Sequence, residues 1–128
     1  MQKYHLNPDG LPPVKGYSHA VTFSGQVVVV SGQVPLDQQG RLVGADDPKA
    51  QVRQVFENLR IALAVAGAGM EQVVKLTVYL TDLADLAAFR QVRDEYISVD
   101  MPPASSLVQV RGLIDPAFRV EIEALAVI

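Results

Sequence analysis

Two glutamates, Glu121 and Glu123, stand two apart in the run "VEIEALAV" near the end of the chain. On a strand this spacing points both carboxylates to one face, about 6–7 Å apart. Such a pair can do general acid/base work, and the same spacing equally describes a solvated strand face partnered by Lys75. Tyr17-Ser18 opens the first strand region and Ser31-Gly32-Gln33 closes the next, so hydroxyls gather at strand ends. Arg90 and Arg93 flank the inner stripe of a helix. They are either a solvated flank or an anion contact across an oligomer interface, where a guanidinium is the favoured donor. Between Asp100 and Arg111 lies "MPPASSLVQV", which has two prolines, two serines and no charge. It is either a connector or the wall of a site whose charge comes from elsewhere.

Other chemistries are excluded by the residues present. The chain has no cysteine, so disulfides, thiol catalysis and thiolate metal sites are absent. His19 follows Ser18 and the other histidine is His5, but G-x-S-x-G is missing and no hydrolytic triad is expected. "GAGMEQ" follows a helix instead of a strand and has Gln72 where a dinucleotide fingerprint needs its third glycine, so it reads as a helix C-cap. Asp46-Asp47 reads as a cap, and no His/Asp/Glu cluster has ligand spacing. We expect no metal and no cofactor. The 11 Lys and Arg are scattered among 14 acids for a net charge of -3, which argues against a nucleic-acid backbone binder. Met1 is followed by the polar run Gln2-Lys3-Tyr4-His5, unlike a signal peptide, and no apolar stretch approaches a bilayer span. A cytoplasmic location is expected.

The elements that must position these residues follow from periodicity. At 128 residues the chain is expected to form a single domain over 1–128. Residues 1–18, with Pro8, Gly10, Pro12, Pro13 and Gly16, read as an irregular arm. Ala20–Phe23 and Gln26–Ser31 read as a hairpin turning at Ser24-Gly25. Val27-Val28-Val29-Val30 is apolar throughout, so that strand is expected to be buried on both sides. Asp47 and Pro48 start a helix whose apolar face is Val52, Val55, Phe56, Leu59, Leu63 and Ala66, ended by Gly67 and Gly69. "VVKLTVYL" alternates as a half-buried strand. Asp82 caps a second helix with Leu86, Phe89, Val92 and Tyr96 inside, and Pro102-Pro103 stops it. Ser105–Val110 and Arg119–Val127 close a mixed sheet, giving β-β-α-β-α-β-β. Helices then cover one sheet face, while strands that look apolar on both faces call for an oligomer packing sheet against sheet.

The runs "YSHAV", "VVVVSGQVPLD", "VFENLRIALAVAGAGMEQVVKLTVYLTDLADL", "PPASSLVQV" and "VEIEALAV" resemble the YjgF/RidA (Rid) family from about Tyr17 to Val127. The resemblance implies a chorismate-mutase-like α+β fold, with a mixed sheet and two helices on one face. It also implies a homotrimer around a central barrel, with a small-molecule cleft between subunits. The activity it implies is hydrolysis of 2-imino or enamino acids to 2-keto acids and ammonia. Some family members are described as ribonucleases, a reading the net charge here does not favour.

By the same resemblance Tyr17 is the cleft tyrosine, although Lys15-Gly16 stands where the family has glycine-proline. Ser31 and Gly32 line the pocket from a strand end, and Glu121 orients the attacking water. A family asparagine falls at Arg90, which brings a cation toward the cleft. Ser105 and Leu107 belong to the pocket wall. The deaminating members carry an arginine where this chain has Ser105, and that arginine clamps the substrate carboxylate. A bidentate charged pair supplies two charge-assisted bonds, whereas serine donates one neutral bond. The expectation is therefore a Rid-like trimer that is not a standard 2-iminoacid deaminase. Its ligand would be neutral, or anchored by another cation such as Arg90, Arg111 or Arg119. A hydrolase of C=N bonds in a different substrate, a chaperone-like binding module and, less favoured, an endoribonuclease are the alternatives.

Overall fold

A computed structural model describes residues 2–128. Its longest helix, α1 (Pro48–Val65), starts where the sequence places it. The Asp47 carboxylate accepts the Ala50 N–H at 3.1 Å, and Pro48 at the first position has no N–H of its own to leave unsatisfied. The helix ends in a Schellman motif: Ala68 N–H donates to Leu63 O, and Gly67 N–H donates to Ala64 O. Gly67 takes the left-handed φ of +83° that this motif requires. Val52, Val55, Phe56, Leu59 and Leu63 are all buried, while Ala66 lies exposed at the cap. Gln51 is buried with them and fully satisfied. Its amide donates to Gly44 O and Ala117 O and accepts from Arg119 N–H.

The main sheet contains β3 (Val27–Gln33), β4 (Val73–Leu80), β5 (Ala104–Gln109) and β6 (Val120–Val127) in the spatial order β3-β6-β4-β5. β4 and β5 are parallel, joined by a crossover through α2 (Leu86–Arg93), and the other pairs are antiparallel. Strand alternation sorts the two faces. Leu76, Val78 and Leu80 of β4 and Val120, Ile122, Ala124 and Ala126 of β6 are buried against the helices. Phe56 of α1 stacks on Phe89 of α2 and on Tyr96, with centroids 6.2 and 4.9 Å apart. This is the mixed sheet with helices on one face that the sequence predicts.

Four expectations are corrected. Ala20–Phe23 (β2) does not pair with β3. It pairs with β1 (Gln2–His5), inside the segment expected to be irregular. Gln26 instead exchanges backbone bonds with Ile128, which ties the start of β3 to the end of β6. The valine run is not buried on both sides: Val30 is buried and Val28 half-buried, but Val27 and Val29 are 45% and 75% exposed on the helix-free face. α2 ends at Arg93, in tight turns that run to Ile97, so Pro102-Pro103 is not its stop. Among the described residues, no helix is long and apolar enough to cross a membrane.

Candidate functional site

The uncharged stretch is fastened to the arm that precedes the first strands. Ser18 is buried; its hydroxyl donates to Pro102 O at 2.6 Å and its N–H to Pro103 O at 2.9 Å. A proline carbonyl accepts but its nitrogen cannot donate, so the two prolines serve here as an acceptor edge. This clasp sets Tyr17 beside the first residues of β5. Ser105 and Leu107 register with Leu76 and Val78, so both face the helix side. There they meet α2 across a cavity of about 320 Å³ lined also by Lys15, Tyr17, Leu86, Phe89, Arg90 and Arg93. That volume is at the small end of the range for small-molecule sites. Four expected residues, Tyr17, Arg90, Ser105 and Leu107, thus share one cavity.

The cation beside Ser105 comes from α2. Arg90 is exposed and makes no ion pair among the described residues. Arg93 has only 13% of its side chain exposed; its Nε and Nη2 both contact Asp94 Oδ1 at 3.0 Å, and its guanidinium carbon lies 5.8 Å from the Phe89 ring centroid. Gly16, at φ +83°, passes directly over that guanidinium, and a Cβ there would collide with it. The other two arginine candidates are elsewhere. Arg119 makes a bidentate pair with the buried Asp85 at 2.8 and 3.0 Å, and this bonding pushes its pKa up. Arg111 is exposed beyond β5 and lines no part of the cavity.

Ser31, Gly32 and Glu121 form a separate group. The β3–β6 register shifts between Val30 and Gln33, and Gly32 sits in that irregularity. A Cβ on Gly32 would collide with Glu121 Oε2, so the missing side chain is what lets the carboxylate reach over β3. Glu121 is the cross-strand partner of Tyr79 and lies on the helix-free face. Within one chain it therefore does not meet the cavity that holds Ser105. Glu123 does not act with it as a free pair, because the Tyr79 hydroxyl donates to Glu123 Oε1 at 2.5 Å, and that bond raises the tyrosine pKa. Lys75, expected beside the glutamates, donates to Ser106 Oγ at 2.9 Å instead.

Sequence reasoning left Arg93 open between a solvated helix flank and an anion contact at an oligomer interface, and did not place Lys15, Leu86 or Phe89 in the site. The usable signal was the three-residue spacing of Arg90 and Arg93, which puts both on one flank of a helix.

An α+β chain with two helices on one face of a mixed sheet, and a small cavity lined by three cations between the second helix and an edge strand, defines the class of fold. The chain belongs to the YjgF/RidA (Rid) family: residues 8–128 match the family described as Endoribonuclease L-PSP. It is 38% identical over 129 residues to Protein DfrA of Myxococcus xanthus, covering 99% of this chain and 97% of the relative. It is 36% identical over 126 residues to the 3-aminoacrylate deaminase RutC of Acinetobacter baylyi, covering 98% of each. Among solved structures, the Rid protein YyfB of Yersinia pestis superposes with a TM-score of 0.89 at 37% identity, over 99% of this chain and 98% of that one. RidA from an Antarctic Psychrobacter superposes with a TM-score of 0.75 at 36% identity, over 98% and 100%.

Proposed function

We propose that the protein hydrolyses the C=N bond of a small anionic imine, met as such or formed when its enamine tautomer takes a proton on carbon, in clefts between the subunits of a homotrimer. On this reading the anion is held by the cations of α2 and not by a residue at position 105. The observation that carries it is the cavity in which Ser105 faces Arg90 and Arg93. The Tyr17 and Ser105 hydroxyls have no hydrogen-bond partner among the described residues and are free to donate. The relative that bears the name 3-aminoacrylate deaminase supports the reaction class.

Assembly is needed because the reactive carboxylate and the cavity are apart. One sheet edge, β3, carries Ser31, Gly32 and the reach of Glu121, and the other edge, β5, carries Ser105 and Leu107. Like edges meeting about a two-fold axis would pair two identical halves and complete nothing. A head-to-tail contact of β3 on β5 of the next copy completes the site, and such contacts close into a ring when the rotation allows. The exposed Val27, Val29 and Val108 on the helix-free face favour burial inside that ring.

In the reaction, Glu121 accepts a proton from water as its oxygen adds to the imine carbon. The same proton is then delivered to nitrogen, giving a carbinolamine. Its hydroxyl proton passes through Glu121 to nitrogen as the C–N bond breaks and the C=O bond forms, so ammonia leaves a carbonyl product. The test follows ammonia release from imines generated in situ, with sedimentation to give the subunit number. Trimers that turn over, and a Glu121→Gln variant slowed at least roughly a hundredfold, are expected. Undiminished turnover by Glu121→Gln, or an active monomer, would sink the proposal. A second reading is RNA cleavage, favoured by Lys15, Arg90 and Arg93 lying together where a phosphate could bind. It requires single-stranded RNA to be cut by the wild type and spared by Arg90→Gln.

A further inference from the structure

We infer that the cleft selects doubly anionic ligands, short molecules with two carboxylates or a carboxylate and a second acidic group, and that Arg93 determines this choice. The inference deepens the proposed function by naming its substrate class, and its ligand preference is measurable without any turnover.

Charge is the first argument. Three cations, Lys15, Arg90 and Arg93, line the cavity beside Ser105, and no lining residue is acidic. The sole carboxylate engaged by any of the three is Asp94, which is itself 58% exposed and touches Arg93 through one oxygen. Two positive charges are left uncompensated in a concave, partly apolar space. Arg90 and Arg93 lie three residues apart on one helix flank, where like charges repel. The next copy's Glu121, which the proposed assembly brings to this cleft, relieves part of that repulsion, and a dianion relieves more of the remainder than a monoanion.

Organisation of the guanidinium is the second argument. Phe89 beneath and Gly16 above confine Arg93 to one place, so little side-chain freedom remains to be lost when a ligand binds. A flexible, solvated arginine would give a general attraction, whereas a confined one gives fixed donors, here the Nη1/Nη2 end left over from the Asp94 contact.

Space is the third. Arg93 borders a second hollow of about 380 Å³ on the side of Leu6, Val14 and Ile97. Arg93 and Lys15 line both hollows, and Asp94 lines the second, so an acidic group entering there takes the place of the exposed Asp94 carboxylate on the guanidinium. Leu86, Phe89 and Leu107 supply an apolar wall in the first cavity for a short carbon chain.

Titration calorimetry with succinate and with butyrate tests this, since the two share four carbons and differ by one carboxylate. The wild type is expected to bind succinate roughly tenfold more tightly or better. In Arg93→Gln the two affinities should converge, and Arg93→Lys should restore only part of the gap because it lacks the fork. Arg90→Gln, at an exposed position where folding is not at stake, should narrow the gap as well. Equal wild-type affinities, no binding of either acid at millimolar concentration, or a preference that survives both Arg90→Gln and Arg93→Gln overturns the inference. A protein that prefers succinate yet releases no ammonia from imines would keep this inference and lose the proposed reaction; the reverse result would separate them the other way.

Discussion

A serine facing two arginines is an unusual exchange of roles across one cavity. If the cation has moved from β5 to α2, returning one to β5 crowds three guanidiniums around a space with no acid in it. Ser105→Arg alone is therefore expected to destabilise the protein by about 1 kcal/mol, and Ser105→Arg with Arg90→Gln by less than the two single changes predict. Urea unfolding of the four proteins in the cycle measures that coupling, and strict additivity would mean the positions do not share a cavity. Gly32 makes a second residue-scale case. Its backbone leaves the space that the Glu121 carboxylate occupies. Gly32→Ala must push that carboxylate aside, and a loss of tenfold or more in turnover is expected with little change in melting temperature. The sequence disclosed Glu121, Gly32 and Ser105 because each falls in a run that resembles a family pattern. It offered Arg93 as an anion contact but did not disclose its confinement, because the glycine that makes room for it is far away in the chain and only the folded arm brings the two together.

At the scale of elements, what was legible had a period. α1 and α2 show apolar residues at helical spacing, and β4 and β6 alternate, so their buried faces follow from the sequence. Val27 to Val30 is four like residues with no period, and nothing local tells which face is covered. The pairing of β2 with β1 was hidden for another reason: Gln26 bonds to Ile128, so β3 is committed to the far end of the chain and the adjacent hairpin never forms. Caps were legible and can be tested. Asp47→Ala removes the carboxylate that accepts from Ala50 and should cost about 1 kcal/mol in urea unfolding. The α1 surface also carries a pH-sensitive pair. Arg60, and then the Tyr96 hydroxyl, hold the Glu57 carboxyl below its ordinary value. Because the folded pKa is the lower one, the stabilisation exists above the ordinary glutamate value and fades as pH falls through the lowered one. Unfolding at pH 7 and at about pH 3 should show Glu57→Gln costing more stability at the first than at the second. Tyr96, pushed up to about 12 first by burial and then by Glu57, contributes the opposite limb, lost only as pH rises through that value.

For the whole molecule, the consequential feature is that the sheet has two unlike edges, with β3 at one side and β5 at the other. A site completed from unlike edges obeys a rule of inheritance as well as one of geometry. Take one variant disabled only on the β3 side, Glu121→Gln, and another disabled only on the β5 side of the cleft, Tyr17→Ala with Arg90→Gln. Each alone has no intact site. In a three-membered ring that contains both, one junction always joins the sound half of each, so random mixing after unfolding and refolding restores about a quarter of the sites. Two inactive proteins would then complement one another in a test tube, and two inactive alleles would do so in a cell. Refolded mixtures that stay dead would place both halves of the chemistry within a single chain.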